Sequence, residues 1–326
     1  MTRARIIGVG SYAPKRVLTN ADLEKIVDTN DEWIVQRSGI RQRHIADENE
    51  ATSDLAVRAA QQAIERASLV PEDIDFIAVG TTTPDMYFPT VGNILQQRLG
   101  CRRVGSVDML AACASSIYSL SIGSQFIQTG KYQRVLCVGA ETLSRITDFT
   151  DRATCVLLAD AAGAAVLAPS TDDRGLIDFD LYSDGHFWEL LYMPGGGSRH
   201  PASRETVEAR MHYAKMKGAE VFKVAVRMFS ECTARILERN GLTAKDVDLF
   251  IPHQANLRII EAAAKRVDLP MERVFVNVDR YGNTGAASVY VALEEAVSSG
   301  RLKRGDLVML AAFGGGFAWG AALMRW

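Results

Sequence analysis

Short apolar runs alternate along this chain with longer stretches in which apolar residues recur every three or four positions. Residues 4–10 form one such run and IDFIAVG at 74–80 another, and both predict buried strands, because a strand covered on both faces has no polar side to show. Between them Leu55, Ala59, Ala63 and Ala67 fall on one face of a helix that Thr52 or Ser53 would cap and that Pro71 follows. The alternation continues with a helix near 91–98, a short strand near 104–108, a helix entered at Cys113 and apolar from Ile117 to Ile127, a strand over 134–141 and a strand pair around 156–168. A less regular segment covers 183–217. Beyond it a helix near 219–239, a strand at 247–251 and the apolar run LVMLAAF at 307–313 resume the pattern. Strands alternating with helices predict a layered α/β fold.

The pattern also repeats at the scale of a domain. ERASLVPEDIDFIAVG, from Glu65, matches ERNGLTAKDVDLFIPH, from Glu238; VDMLAACASSIYSLSIGSQFIQTG, from Val107, matches VDRYGNTGAASVYVALEEAVSSG, from Val278; and DAAGAAVLAP at 160–169 matches GFAWGAALMRW at 316–326. Three matches in the same order predict two tandem copies of one α/β unit, residues 1–172 and 173–326, with the segment at 183–217 inserted in the second. Equivalent loops of such copies meet around a pseudo-twofold axis. The Cys113 turn and the Gly282-Asn283-Thr284 turn would then face one site, and the loop IPHQAN, which follows the matched strand of the second copy, would add His253.

That convergence changes the chemistry to be expected of Cys113. Alone it reads as a small core residue or as a thiol at a helix N-terminus, where unpaired N–H groups and the helix dipole favour the thiolate and lower its pKa below the usual value of about 8.5. With His253 and Asn283 on matching loops it becomes a candidate nucleophile. Gly314–Gly316 follow the last apolar run, and glycines there let backbone N–H groups approach a ligand, as an oxyanion hole requires.

Composition narrows the setting. The 326 residues are 48% hydrophobic and 23% charged with a net charge of -2, the profile of a soluble globular protein without a generally nucleic-acid-binding surface. The N-terminus lacks a sustained apolar signal region and no apolar run approaches the roughly 20 residues that span a bilayer, so a cytoplasmic protein is expected. Five cysteines without C-x-x-C spacing predict neither a zinc site nor a disulfide framework. On charge alone the cluster of Trp33, Arg37, Arg41 and Arg43 reads as a solvated helix and loop around a packed tryptophan.

Six segments carry a resemblance that covers nearly the whole chain: TNADLEKIVDTNDEWIVQRSGIRQRHIA, AACA around Cys113, TDRAT at 150–154, IPHQANLRII, DRYGNTGAAS and FGGGFAWG. Through them the chain resembles the β-ketoacyl-acyl carrier protein synthase III family, the initiating condensing enzymes of type II fatty acid synthesis, within the thiolase-fold superfamily. The resemblance implies a thiolase-like α-β-α-β-α arrangement. It also implies an acyltransferase that loads an acyl group, most often from acetyl-CoA, onto Cys113 and condenses it with malonyl-acyl carrier protein. His253 and Asn283 would donate hydrogen bonds to the malonyl thioester oxygen, and the N–H groups of Cys113 and Gly315 would form an oxyanion hole. No metal or permanently bound cofactor is implied, and acyl-CoA is a substrate.

The same resemblance turns the Trp33 cluster into a nucleotide site, with Trp33 stacking on adenine, Arg37 and Arg152 near the nucleotide and its phosphates, and Asn256 along the pantetheine arm. Phe88 matches a residue that closes the primer pocket across the interface of a homodimer. Arg258 and Lys265, seven apart and hence on one helix face, with Arg266 beside them and Lys223 placed by the family match, make a basic patch for the acidic carrier protein. Two features depart from the acetyl-primed pattern and leave primer length and branching open: the longer, more polar 193–217, and Ala114-Ser115-Ser116 where a Gly-aromatic pair is common. A condensing enzyme of a secondary pathway with another starter is the alternative. An idle partner subunit is disfavoured by the intact triad, and a Cys-His-Asn hydrolase by the duplicated pattern and the CoA-binding match.

Overall fold

The computed structural model describes residues 2–326. Its first sheet holds β1 (Ala4–Tyr12), β2 (Phe76–Gly80), β3 (Gly105–Met109), β4 (Val135–Thr142) and β5 (Asp160–Pro169), in the spatial order β1-β5-β4-β2-β3. β4 is parallel to β2 and β2 to β3, whereas β5 runs antiparallel to both β1 and β4. The second sheet holds β6 (Gly175–Ser183), β7 (Leu249–Pro252), β8 (Leu307–Gly314) and β9 (Ala318–Arg325), in the order β6-β9-β8-β7, with β7 parallel to β8 and both other pairings antiparallel. The two orders are the same, strand for strand, except that the place of β3 is taken in the second sheet by a single parallel bridge, Phe250 to Val274. The chain passes from one sheet to the other between Pro169 and Gly175.

Successive residues of a strand face opposite sides of its sheet, and here both sides are covered. In β2, Ala78 points to a core shared with α2 (Ser115–Gln128), while Ile77 and Val79 point to a core under Leu55, Ala59 and Ala63 of α1 (Thr52–Arg66). That double burial is why the run is apolar without alternation. On the second sheet Ile251, Val308 and Leu310 turn to the shared core, and Phe250 and Met309 to α3 (Gly218–Arg239) and α4 (Leu257–Arg266). The shared core is closed by α5 (Ser288–Ser298), whose Tyr290 is fully buried and bonds Ser119 Oγ at 2.6 Å and the Ser116 carbonyl at 3.1 Å. Five layers result, α-β-α-β-α, with α2 and α5 side by side in the middle.

Three local expectations are corrected. Neither Thr52 nor Ser53 caps α1: Ala51 precedes the helix, the Asp54 carboxylate accepts from Ala51 N at 2.7 Å, and Ser53 is engaged by Asp85 instead. The region 156–168 is not a strand pair, because residues before Asp160 turn away to bridge Leu158 with Asn283. Arg43 is fully buried, not solvated, and is held by the carbonyls of Leu18 and Val156 and by Asn20 Oδ1.

Candidate active site

The equivalent ends of the two central helices meet at the sheet edges. β3 leads through a tight turn, Ala112–Ala114, into α2, and its counterpart Gly285–Ala287 leads into α5. Both turns lie against strands at positions where only glycine fits. A Cβ on Gly139 of β4 would stand 2.2 Å from the Ala286 carbonyl oxygen, and one on Gly314 of β8 would stand 2.5 Å from Cys113 N. Ala112 holds a left-handed φ of 47°, which costs an alanine about 1–2 kcal/mol and aims the next residue out of the turn. Ser115 Oγ fastens this turn, accepting from Ala111 N and donating to the Met109 carbonyl.

Cys113 sits where two cavities join. One, about 350 Å³, is lined by Leu110, Leu143, Ile146, Leu191, Met193 and other apolar side chains, together with Thr82, Asn283 and Gly315. The other, about 550 Å³, runs from Cys113, His253 and Asn283 past Asn256 to Trp33, Arg37, Lys223 and Arg258. The structure thus brings Cys113, His253 and Asn283 to one place.

Their protonation states follow from burial. The Cys113 thiol is pushed up to about 12 by desolvation, with the Glu141 carboxylate adding to the shift. The start of α2 favours the anion and desolvation opposes it, so the two act on this half-buried sulfur in opposite directions. His253 is held neutral, its pKa lowered to about 3 by burial. Its backbone N–H donates to the Ala311 carbonyl at 2.7 Å, its ring packs on Phe313, and Nδ1 lies 2.5 Å from Ser288 Oγ. Ser288 Oγ also accepts from Gln254 N at 3.4 Å, so its own proton is free for Nδ1. This pattern assigns the Nε2–H tautomer, which leaves a donor for the cavity. Asn283 is oriented in the same way: its Oδ1 accepts from Gly285 N at 3.0 Å, which leaves Nδ2 as donor.

Trp33, on the helix Asp31–Ser38, carries the Arg152 guanidinium 4.7 Å from its ring centroid and that of Arg37 at 5.8 Å. Asn256 caps α4 by accepting from Arg258 N and donates to the Arg37 carbonyl at 3.0 Å, tying the two ends of this wall together. Lys223 and Arg258 stand at the cavity wall, while Lys265 and Arg266 lie exposed in the last turn of α4. Phe88 does not line the cavities of its own chain and is 84% exposed. Ser115 and Ser116 are fully buried and do not line either cavity. The segment at 183–217 does: Leu191, Tyr192, Met193, Ala214 and Met216 form a wall, held by Ala214 N on the Ile146 carbonyl and by the Arg210–Asp148 ion pair. Sequence reading missed Ser288, Glu141 and these wall residues, although the apolar Leu191, Met193 and Met216 in a polar stretch were a usable signal.

Residues 107–185 match the family model described as 3-Oxoacyl-[acyl-carrier-protein (ACP)] synthase III, and residues 237–326 match its C-terminal model. A beta-ketoacyl-[acyl-carrier-protein] synthase III of Caldanaerobacter subterraneus is 51% identical, the match covering 99% of this chain and 98% of that protein. One from Xanthomonas oryzae is 52% identical, with 99% and 98% covered. Among solved structures, the 3-oxoacyl-[acyl-carrier-protein] synthase III of Aquifex aeolicus superposes with a TM-score of 0.92 at 46% identity, covering 99% of this chain and 100% of that one. The priming beta-ketosynthase of the R1128 polyketide pathway superposes with a TM-score of 0.91 at 34% identity, with 99% and 96% covered.

Proposed function

The chain belongs to the 3-oxoacyl-[acyl-carrier-protein] synthase III family, and on that footing we propose that Cys113, His253 and Asn283 condense an acyl-CoA primer with malonyl-acyl carrier protein to start fatty acid synthesis. What supports this reading is the meeting of those three residues where an apolar cavity joins one walled by Trp33, Arg37 and Asn256. The sulfur of Cys113 attacks the acyl thioester, the bond to CoA sulfur breaks, and the thiol proton leaves with CoA. The N–H groups of Cys113 and Gly315 hold the tetrahedral oxyanion. Malonyl-acyl carrier protein then loses CO2, and the released electron pair becomes a thioester enolate whose oxygen takes hydrogen bonds from His253 Nε2 and Asn283 Nδ2. The enolate carbon attacks the acyl carbonyl, the bond to Cys113 breaks, the released thiolate takes up a proton from water, and the 3-oxoacyl-carrier protein departs. Donors aimed at such an oxyanion are worth about 3–4 kcal/mol each, roughly a hundredfold or more in rate. No step needs a metal or a resident cofactor.

Adenine would stack on Trp33, with Arg37 and Arg152 near the nucleotide and its phosphates and Asn256 along the pantetheine arm. The basic residues Lys223 and Arg258 at the wall, continued by Lys265 and Arg266, would dock the acidic carrier protein. A short primer, acetyl-CoA, is the expected substrate, in a homodimer. Support for the dimer comes from one exposed apolar face: Met86, Tyr87, Phe88 and Leu110, with Leu110 both 78% exposed and part of the primer cavity. Leu110 joins that cavity to exposed apolar surface, and Phe88 of a second copy would close it there. The two halves 1–172 and 173–326 would be the duplicated units, and a cytoplasmic location follows the expected pathway; no helix among the described residues is long and apolar enough to cross a membrane.

The deciding experiment is intact-protein mass spectrometry after incubation with a panel of acyl-CoAs, on wild type and Cys113→Ser. The wild type should gain one acyl group, at Cys113, and the variant none on a thiol. An increment that maps to Cys101, Cys137, Cys155 or Cys232 overturns the assignment. The similarity to a polyketide priming synthase keeps a second reading, a secondary-pathway starter, and preferential loading of a longer acyl group in the same panel selects it.

A further inference from the structure

Glu141, at the end of β4, is a fully buried carboxylate that no step above uses. Donors converge on it from two loops. From the loop after β2, Thr83 Oγ1 donates at 2.7 Å, Thr82 Oγ1 at 2.9 Å, Thr82 N at 3.0 Å and Thr81 Oγ1 at 3.4 Å. From the turn before α5 the Ala286 backbone amide helps hold the carboxylate's charge, and Gly285 packs so close that a Cβ there would stand 2.9 Å from Glu141 Cγ and 3.1 Å from Oε1. Burial pushes the Glu141 carboxyl up to about 7 against the pull of these donors, so at pH 8 it is largely ionised, and an ionised carboxylate only accepts, which suits a surrounding made of donors. Both loops reach the site: Thr82 lines the primer cavity, and Gly285 N holds Asn283 Oδ1.

We propose that Glu141 is a positioning residue for the condensation: its carboxylate pins the Gly285–Ala287 turn and so aims Asn283 Nδ2 at the malonyl thioester oxygen. This rests on the reading of Asn283 as a donor to that oxygen. The carboxylate also bears on Cys113 in the opposite sense. Its negative charge adds to the burial that keeps the thiol protonated, so removing the charge makes the sulfur easier to ionise. Thr81, Thr82 and Thr83 on one side and Gly285 and Ala286 on the other are uncharged, and the Cys113 thiol is the titratable group coupled to it. A role in the scaffold alone would instead damage both functions when Glu141 is lost.

The two effects can be read separately in the full-length protein with Glu141→Gln. Malonyl-acyl carrier protein decarboxylation, followed as CO2 release, should fall tenfold or more. Alkylation of Cys113 by iodoacetamide at pH 8, followed by intact mass, should run at the wild-type rate or faster. A fall in both rates, or an unchanged decarboxylation rate, overturns the proposal. Should Glu141→Gln fail to fold, Glu141→Asp keeps the charge and shortens the reach, and the same outcomes decide. Asn283→Ala is the control. If it retains decarboxylation, the reading of the site fails; if it loses decarboxylation while Glu141→Gln does not, only the role of Glu141 falls.

Discussion

Ser288 offers a graded test of the site, because it touches His253 on the side away from the cavity. Its Oγ lies 2.5 Å from Nδ1 and is assigned as the donor. In Ser288→Ala that bond is lost, and a net hydrogen bond of this kind contributes about 0.5–1.5 kcal/mol. The neutral ring is then free to carry its proton on Nδ1, where it cannot serve the enolate, and to rotate against Phe313. A penalty near 1.4 kcal/mol corresponds to about tenfold in rate. Malonyl decarboxylation should therefore fall by roughly tenfold in Ser288→Ala, against a hundredfold or more in His253→Ala, where the donor itself is gone. Single-turnover decarboxylation separates the two, and acyl loading of Cys113 by mass spectrometry should stay near wild type in Ser288→Ala. The double variant Ser288→Ala/His253→Ala should be no slower than His253→Ala alone, since Ser288 acts through the imidazole. Additive losses in the double variant, or a Ser288→Ala rate within twofold of wild type, would refute the tautomer assignment.

Two further outcomes are expected. Arg258→Glu should raise the Michaelis constant for malonyl-acyl carrier protein several-fold and leave transfer from acyl-CoA intact; equal loss in both half-reactions would count against docking there. The ionisations set two pH limits. With the Cys113 thiol pushed up to about 12, its alkylation rate in the absence of substrate should keep rising between pH 7 and pH 10, and a plateau near pH 8 would show a thiolate that burial does not suppress. His253, lowered to about 3, stays neutral in the folded state while an unfolded histidine takes a proton below about 6.5. Its contribution to stability is thus complete above pH 6.5 and is lost as pH falls toward 3, measurable by urea denaturation of wild type against His253→Ala.

Much of this protein is legible from one chain because the relevant signals are local or internal. Apolar spacing places α1, α2 and α3 within a residue or two, since a helix or strand must bury one side whatever lies beyond it. The internal matches around Glu65 and Glu238, and between 160–169 and 316–326, correspond to strands that hold the same positions in the two sheets, and the match around Val107 and Val278 corresponds to the central helices α2 and α5. They also explain why Cys113 and Asn283, 170 residues apart in number, enter helices that lie side by side. Lys265 and Arg266 share a helix with Arg258, as their spacing predicts, and lie in its last turn beyond the cavity that Arg258 lines.

What only the tertiary structure decided are properties that belong to several segments at once. The pKa of Cys113 depends on how much water its neighbours exclude and on Glu141 from another strand, neither of which the helix-end rule includes. Ser288 and Glu141 look like ordinary residues until folding sets one behind His253 and the other beneath the Asn283 turn. The wall of the apolar cavity beside Cys113 comes from Leu191, Met193 and Met216 in a segment whose polar composition hid them. Periodicity is written residue by residue along the chain. Desolvation, donor direction and cavity shape come from atoms that the chain brings together only after it has folded.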